Sequence, residues 1–275
     1  MSVFKGKIAI ITGGASGIGA AVGQELAKRG ATVVLADING ASAESTAAAI
    51  RKAGGQAQAA RLDVSDAAAV NELVHRVKKE LGSIDFMFNN AGIAMSGEMR
   101  YLTLADWNRM VDINLRGVIH GVHAVYPVMI EQGSGHIVNT ASINGLVALP
   151  LAGPYNATKH AVVGLSLTLR AEGAGLGVRV STVCPGFIDT PLKDNMTYIE
   201  LDKAAGQKAL PFRMHPVEEC ALAIADGVAK NKALIVVTPQ AKALSLLNRF
   251  FPGIFSWAIG QAANKSRRMR AQGLL

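Results

Sequence analysis

The chain has 275 residues, half of them apolar, enough to bury a sizeable core in one or two domains. Its 28 Lys and Arg exceed 20 Asp and Glu, but the surplus is local: no acid follows Asp226, and Lys230, Lys232, Lys242, Arg249, Lys265, Arg267, Arg268 and Arg270 carry the whole formal +8. A formally neutral body up to that point gives no ground for nucleic-acid binding, two cysteines make no disulfide framework, and no stretch is apolar for long enough to span a membrane.

Only a strand-length apolar run precedes Thr12, unlike a signal peptide, and with the cysteine usage this leads us to expect a cytoplasmic protein. Lys7 to Ile11 reads as a buried parallel strand. Thr12-Gly13-Gly14-Ala15-Ser16-Gly17-Ile18-Gly19 follows at once, and Ala20 to Arg29 reads as a helix ended by Gly30. Strand, glycine turn, helix is the setting of a dinucleotide site. Glycines let the backbone approach a pyrophosphate, and the helix N-terminus offers amide donors. The candidates for that contact are Gly13, Ser16, Gly17, Ile18 and Gly19, spaced Gly-x3-Gly-x-Gly.

A second strand, Ala31 to Ala36, runs into Asp37-Ile38. An acid at that point accepts hydrogen bonds from an adenosine ribose 2′-OH and repels a 2′-phosphate. No Lys or Arg lies in residues 38–40 or in the glycine turn, so the pattern favours NAD over NADP. The alternative is that Asp37 only caps the next helix.

Further strand runs fall at Ala57–Leu62, Ile84–Phe88, Gly135–Asn139, Val178–Val183 and Ala233–Val237. Helical segments lie between them, near 41–53, 66–81, 104–131, 155–174 and 217–230. The alternation predicts one α/β domain over 1–238, a doubly wound parallel seven-stranded sheet of Rossmann type. Ligands bind at the carboxyl ends of such strands, where the glycine turn, Asp37, Asp63, Asn90 and Ser142 all fall.

Tyr155 and Lys159 stand four residues apart on a predicted helix, so phenol and ammonium share a face. A nearby cation favours the phenolate, and a tuned phenol moves a proton to or from an alcohol oxygen. Ser142, thirteen residues before the tyrosine, offers a hydroxyl to the substrate oxygen. The trio suits alcohol–carbonyl redox chemistry beside a hydride carrier.

Thr12-Gly13-x3-Gly17-Ile18-Gly19, Asn89-Asn90-Ala91-Gly92, Asn114, Ser142, Tyr155-x3-Lys159 and Pro185-Gly186 occur in that order. Together they resemble the short-chain dehydrogenase/reductase family, of the compact single-domain type, over residues 5 to about 238. The resemblance implies a catalytic tetrad of Asn114, Ser142, Tyr155 and Lys159, with Asn114 holding a water that links Lys159 to solvent. It implies that Asp63 and Val64 contact the adenine, that Asn90, Ala91 and Gly92 lie along the adenosine, and that Ile188 and Thr190, after Pro185-Gly186, touch the nicotinamide carboxamide. Tyr155 and Lys159 would also contact the cofactor, Lys159 gripping the nicotinamide ribose. It implies a homodimer built from the helices near 104–131 and 155–174, and places a mobile substrate cover over residues 187–215.

Leu192, Met196, Tyr198, Ile199, Leu201, Leu210 and Phe212 make that cover apolar. Met95 and the run Leu146 to Leu151 add apolar surface, and no carboxylate clamp is evident, so an apolar substrate is expected, unless these residues simply pack in the core. His120 and His123 stand three apart without a third ligand, so no metal is expected. Residues 239–275 depart from the resemblance, whose commonest members end in a glycine-rich segment at a tetramer interface. Here an apolar helix through Leu244, Leu247 and Phe251, a Pro252-Gly253 break and a second apolar segment with Phe255 and Trp257 precede the basic end. Packing on the domain, or across a homodimer or homotetramer, is the favoured reading; a peripheral arm on an anionic membrane is the other.

The expected activity is an NAD-dependent interconversion of a secondary alcohol and a ketone on an apolar substrate. The alternatives are an NADPH-dependent carbonyl reductase, separated by Asp37, and a non-catalytic dinucleotide-binding regulator, disfavoured by the intact tetrad.

Overall fold

All five residues of β1 (Ile8–Thr12) are buried, and the pleat divides them. Ile8 and Ile10 enter the core on one face of the sheet, and Ala9 and Ile11 enter the core on the other, as period two requires. This is a computed structural model that describes residues 2–201, 203 and 214–271, with the backbone alone at 265, 266 and 268–271.

From β1 the chain enters α1 (Gly17–Lys28), β2 (Thr32–Asp37), α2 (Gly40–Lys52), β3 (Gln56–Arg61), α3 (Ala67–Leu81) and β4 (Phe86–Asn89). A two-residue strand β5 (Met95–Ser96) leads to α4 (Leu104–Val111) and α5 (Gly117–Glu131), then β6 (Gly135–Thr140), α6 (Gly153–Gly173) and β7 (Val178–Cys184). A short β8 (Thr197–Tyr198), α7 (Val217–Ala229), β9 (Leu234–Val236), α8 (Pro239–Phe250) and α9 (Pro252–Ala271) complete the described chain. Seven strands pair in parallel in the order β3-β2-β1-β4-β6-β7-β9, so the winding reverses between β1 and β4 and opens a crevice at their carboxyl ends. Helices α3, α5 and α6 cover one face of the sheet, and α1, α2 and α7 cover the other. Leu26 on α1 is wholly buried, a contribution of about 2 kcal/mol from its apolar area.

The helix starts follow local chemistry. Asp66 caps α3 by accepting from the amides of Ala68 and Ala69, and Thr103 with Asp106 forms a capping box on α4. Asn39, not Asp37, caps α2 by accepting from Ser42. Gly82 ends α3 in the left-handed conformation, at φ +86°.

Three features depart from the sequence reading. The single helix expected over 104–131 is interrupted by a π-helical turn at Asp112–Arg116. The cause is Asn114: fully buried, its side chain accepts from the Ile93 amide at 2.8 Å and donates to the Ile93 carbonyl at 2.9 Å. Strands β5 and β8 were not foreseen, because two-residue strands leave no period; they pair in parallel and tie the segment after β4 to the segment after β7. Of the apolar residues assigned to the substrate side, Met95 and Val147 are core residues.

The arm from Pro239 packs on the body. Ala241 and Phe255 are buried in one cluster with Ile143 and Val147, and Leu146, Leu149, Leu244 and Ile259 pack around it. Asn248 donates to the Leu146 carbonyl at 3.1 Å. Among the described residues, no helix is long and apolar enough to cross a membrane.

Candidate active site

The turn after β1 is held by side chains from β4 and by its own glycines. Thr12 Oγ1 donates to the Phe88 carbonyl and accepts from the amides of Asn90 and Ala91 at 2.9 and 3.1 Å. Asn90 Nδ2 donates to the Thr12 carbonyl at 3.1 Å. Gly13 has φ +65°, and a Cβ there would stand 2.9 Å from Ala91 Cα. A Cβ on Gly19 would stand 2.1 Å from the Gly13 carbonyl oxygen, so this glycine lets α1 press against the turn. Ser16 precedes α1 but makes no side-chain capping bond, which leaves the first-turn amides of α1 available to an anion.

These groups open onto a cleft of about 400 Å³. Gly13, Ser16, Gly17, Ile18, Asp37, Ile38, Asp63, Val64, Asn90, Ala91 and Gly92 line one part of it; Ser142, Tyr155, Lys159, Pro185, Gly186, Ile188 and Thr190 line the rest. Every site residue named from the sequence is on its wall except Gly19, which lies behind the glycine turn, and Asn114, buried behind Ile93. Leu62, Ile93, Ile113, Thr140, Ala141, Pro191, Leu192 and Asn195 also line the cleft and were not assigned to the cofactor site from sequence. Their residue types carry no chemical signature; Leu62 and Ile113, adjoining Asp63 and Asn114, were locatable by adjacency alone.

Asp37 stands at the end of β2 with its carboxylate fixed. Oδ2 accepts from the Ala15 amide at 3.1 Å and Oδ1 from the Asn39 amide at 3.0 Å. The acid therefore joins the second strand to the glycine turn, while its remaining acceptor capacity faces the cleft.

At the inner end, Ser142 follows β6 and is 7 % exposed. Its Oγ accepts from the Asn144 amide at 3.2 Å, and both Ser142 and Tyr155 line the cleft. The Ile143 amide donates to the Pro185 carbonyl at 2.7 Å, so the chain just after β7 holds the serine turn. Lys159 is 3 % exposed, donates to the Thr140 carbonyl at 2.9 Å, and holds Nζ 5.6 Å from the centre of the Tyr155 ring. Gly92 joins this group to Asn114: a Cβ there would lie 3.0 Å from Asn114 Oδ1 and 3.6 Å from Lys159 Nζ.

The electrostatics correct one expectation. Burial pushes the Tyr155 phenol above its ordinary value, and the hydrogen bond with Ser142 pulls it back only in part. Lys159 is not among the groups that shift the phenol, and burial lowers Lys159 itself to about 8, partly opposed by Cys184. The Cys184 thiol is pushed up to about 12 by burial and stays protonated. Such a site is polarised against both charged forms until another group enters.

A depressed lysine has a stability consequence. Between pH 8 and 10.5 the folded protein binds fewer protons at Lys159 than the unfolded chain, so this term adds stability as pH rises, and below pH 8 the full cost of the buried cation is present. Lys159→Met should therefore raise stability at pH 7 by up to about 3 kcal/mol, less about 1 kcal/mol for the lost bond to Thr140. The advantage should shrink toward pH 10.5. Urea unfolding of both proteins at pH 7 and pH 10 measures it; a variant less stable at neutral pH would show that the cation is well compensated.

The chain matches the family model described as short chain dehydrogenase over residues 7–199. It is 37 % identical over 254 residues to SadH of Mycobacterium tuberculosis, covering 90 % of this chain and 92 % of that one. It is 35 % identical over 257 residues to 2,5-dichloro-2,5-cyclohexadiene-1,4-diol dehydrogenase LinX of Sphingobium indicum, covering 93 % and 97 %. Among solved structures, a short chain dehydrogenase/reductase from Burkholderia phymatum in complex with NAD superposes with a TM-score of 0.83 at 32 % identity, over 90 % of this chain and 95 % of that one. The parallel sheet with its crevice, the ordered motifs and these likenesses coincide over the same residues, and the chain belongs to the short-chain dehydrogenase/reductase family of oxidoreductases.

Proposed function

We propose that the protein is an NAD-dependent dehydrogenase/reductase that interconverts a secondary alcohol and a ketone on an apolar substrate. The observation that carries this reading is the inner end of the cleft, where Ser142 and Tyr155 line the same wall and Lys159 lies buried beside the ring.

A nicotinamide dinucleotide fits the residues present: the uncapped α1 N-terminus and the close glycines suit a pyrophosphate, and Asp37 suits a ribose diol. Bound there, the cofactor supplies or accepts the hydride. Tyr155 donates its proton to the carbonyl oxygen in reduction and takes it back in oxidation. Ser142 donates a hydrogen bond to the same oxygen and stabilises charge developing on it. Lys159 would hold the ribose and counter charge on the phenolate. Asn114, with both amide atoms bonded to Ile93, fixes the π-helical turn behind Lys159 and anchors the relay of protons to solvent. Leu192, on the cleft wall, and the half-buried Leu146, Leu149, Tyr198 and Ile199 offer the substrate little but apolar surface. Leu210 and Phe212 of the expected cover lie outside the described residues.

A panel of apolar secondary alcohols and ketones, assayed with NAD(H) and NADP(H), tests the reading. Turnover with NAD at a higher kcat/KM than with NADP is expected; cofactor binding without turnover across the panel would instead favour the regulatory alternative. Asp37→Ala should narrow the preference by roughly tenfold or more, losing acceptors for the ribose and easing repulsion of a 2′-phosphate. A wild-type preference for NADP would remove Asp37 from this role.

A further inference from the structure

The C-terminal arm has two faces, and packing on the body uses only one. Ala241, Leu244, Phe255 and Ile259 turn inward. Leu246, Leu247, Phe250, Phe251, Ile254 and Trp257 remain exposed around the corner where α8 ends and α9 begins, with Phe250 65 % and Trp257 68 % exposed. On α8 the spacing 246, 247, 250 puts three of them on one stripe, Phe251 follows at the break between the helices, and 254 and 257 share a face on the first turns of α9. Six large apolar side chains in twelve residues are far more than the scattered singles of an ordinary surface.

Charge identifies what covers them. No acid lies in residues 227–275. Lys242 and Arg249 are exposed on the same helix as the stripe, and Lys265, Arg267, Arg268 and Arg270 follow along α9. Arg267 is engaged with Glu98 at 3.4 Å, so the end of the arm is also tied to the body. A twofold contact between copies of this chain through the corner would set two acid-free arms against each other, a like-charge juxtaposition that disfavours self-association there. An apolar corner bearing Phe and Trp, with Lys242 and Arg249 exposed on the helix beside it and no acid on the arm, is complementary to an anionic lipid interface, which accepts the rings at headgroup level and pairs the cations.

We propose that the outer face of α8 and α9 is a peripheral docking surface for anionic lipid, while the inner face keeps the arm on the catalytic body. The protein lies on the membrane without crossing it. The inner face of the arm packs around Leu146 and Leu149, so the docked protein keeps its catalytic body attached to the arm.

The test is co-sedimentation of the full-length protein with vesicles of phosphatidylcholine alone and of phosphatidylcholine with phosphatidylglycerol. Binding to the anionic vesicles, weakened by raised ionic strength, is expected. A Phe250→Ser, Trp257→Ser double variant should bind at least roughly tenfold more weakly, since each ring buries enough apolar area for about that factor. Its melting temperature and reductase activity should match the wild type, because both rings are exposed. Lys242→Gln, Arg249→Gln should weaken anionic binding independently of any packing change. Absence of sedimentation with anionic vesicles, or unchanged binding in both double variants, overturns the proposal. So does a fall in native mass in the Phe250, Trp257 variant, which would assign the corner to a second copy of the chain.

Discussion

Tyr155→Phe should leave the fold and cofactor affinity intact while lowering kcat by roughly 10²–10⁴, the size of a general acid–base contribution. The ring stays, so its packing beside Lys159 stays, and only the hydroxyl is removed. The sign of the phenol's perturbation sharpens the experiment. Burial raises Tyr155, so the proton is held firmly in the free protein, and with a dinucleotide in the cleft Lys159 would counter charge on the phenolate. The wild-type pH profile for alcohol oxidation should accordingly rise toward alkaline pH, as the base form is populated, and the residual rate of the Phe variant should lose that limb. Cofactor affinity by fluorescence titration separates this outcome from a folding defect. Wild-type turnover in Tyr155→Phe would remove the phenol from the mechanism.

The sequence was most informative where one residue type has one physical reason to be present. In β1 the run Ile8-Ala9-Ile10-Ile11 is apolar at every position because both faces of the strand are covered, so its burial was readable without knowing the partners. Gly13 and Gly19 were readable as a ligand turn because only glycine tolerates such close approach, yet their different tasks were not: Gly13 faces the cleft and Gly19 faces the turn from behind. Asp37 left two readings open, and the structure decides one point between them, since α2 takes its cap from Asn39. What escaped prediction depends on contacts distant in sequence. The π-helical turn at Asn114 arises from a backbone partner at Ile93 that helical periodicity cannot encode. The upward perturbation of Tyr155 comes from burial in the folded chain, which i,i+4 spacing does not encode. Met95 and Val147 read equally well as a substrate wall or as core, because apolar character alone does not say which side of a wall a residue faces.

Truncation after Thr238 should destabilise the protein even in the absence of lipid. Phe255 is 4 % exposed and shares its cluster with Ile143 and Val147, the residues that follow Ser142 in the chain. Removing a buried phenylalanine costs about 3–5 kcal/mol, and the truncation also removes Ala241 and uncovers both partners. At about 2–4 °C per kcal/mol for a chain of this size, 3 kcal/mol corresponds to a melting temperature roughly 6–12 °C lower. Phe255→Ala should reproduce much of that fall, whereas the exposed Trp257 two positions on should contribute almost nothing, because stability follows the inner face of α9 and not its overall apolarity. The same cluster supports Leu146 and Leu149, so the loss should reach the site as a raised KM for apolar substrates, with affinity for the dinucleotide less affected. Differential scanning fluorimetry of the two variants, with steady-state kinetics on one ketone, measures all of this. If the truncated enzyme keeps its melting temperature and its KM, the arm is not part of the folded body, and the wall behind Ser142 stands without it.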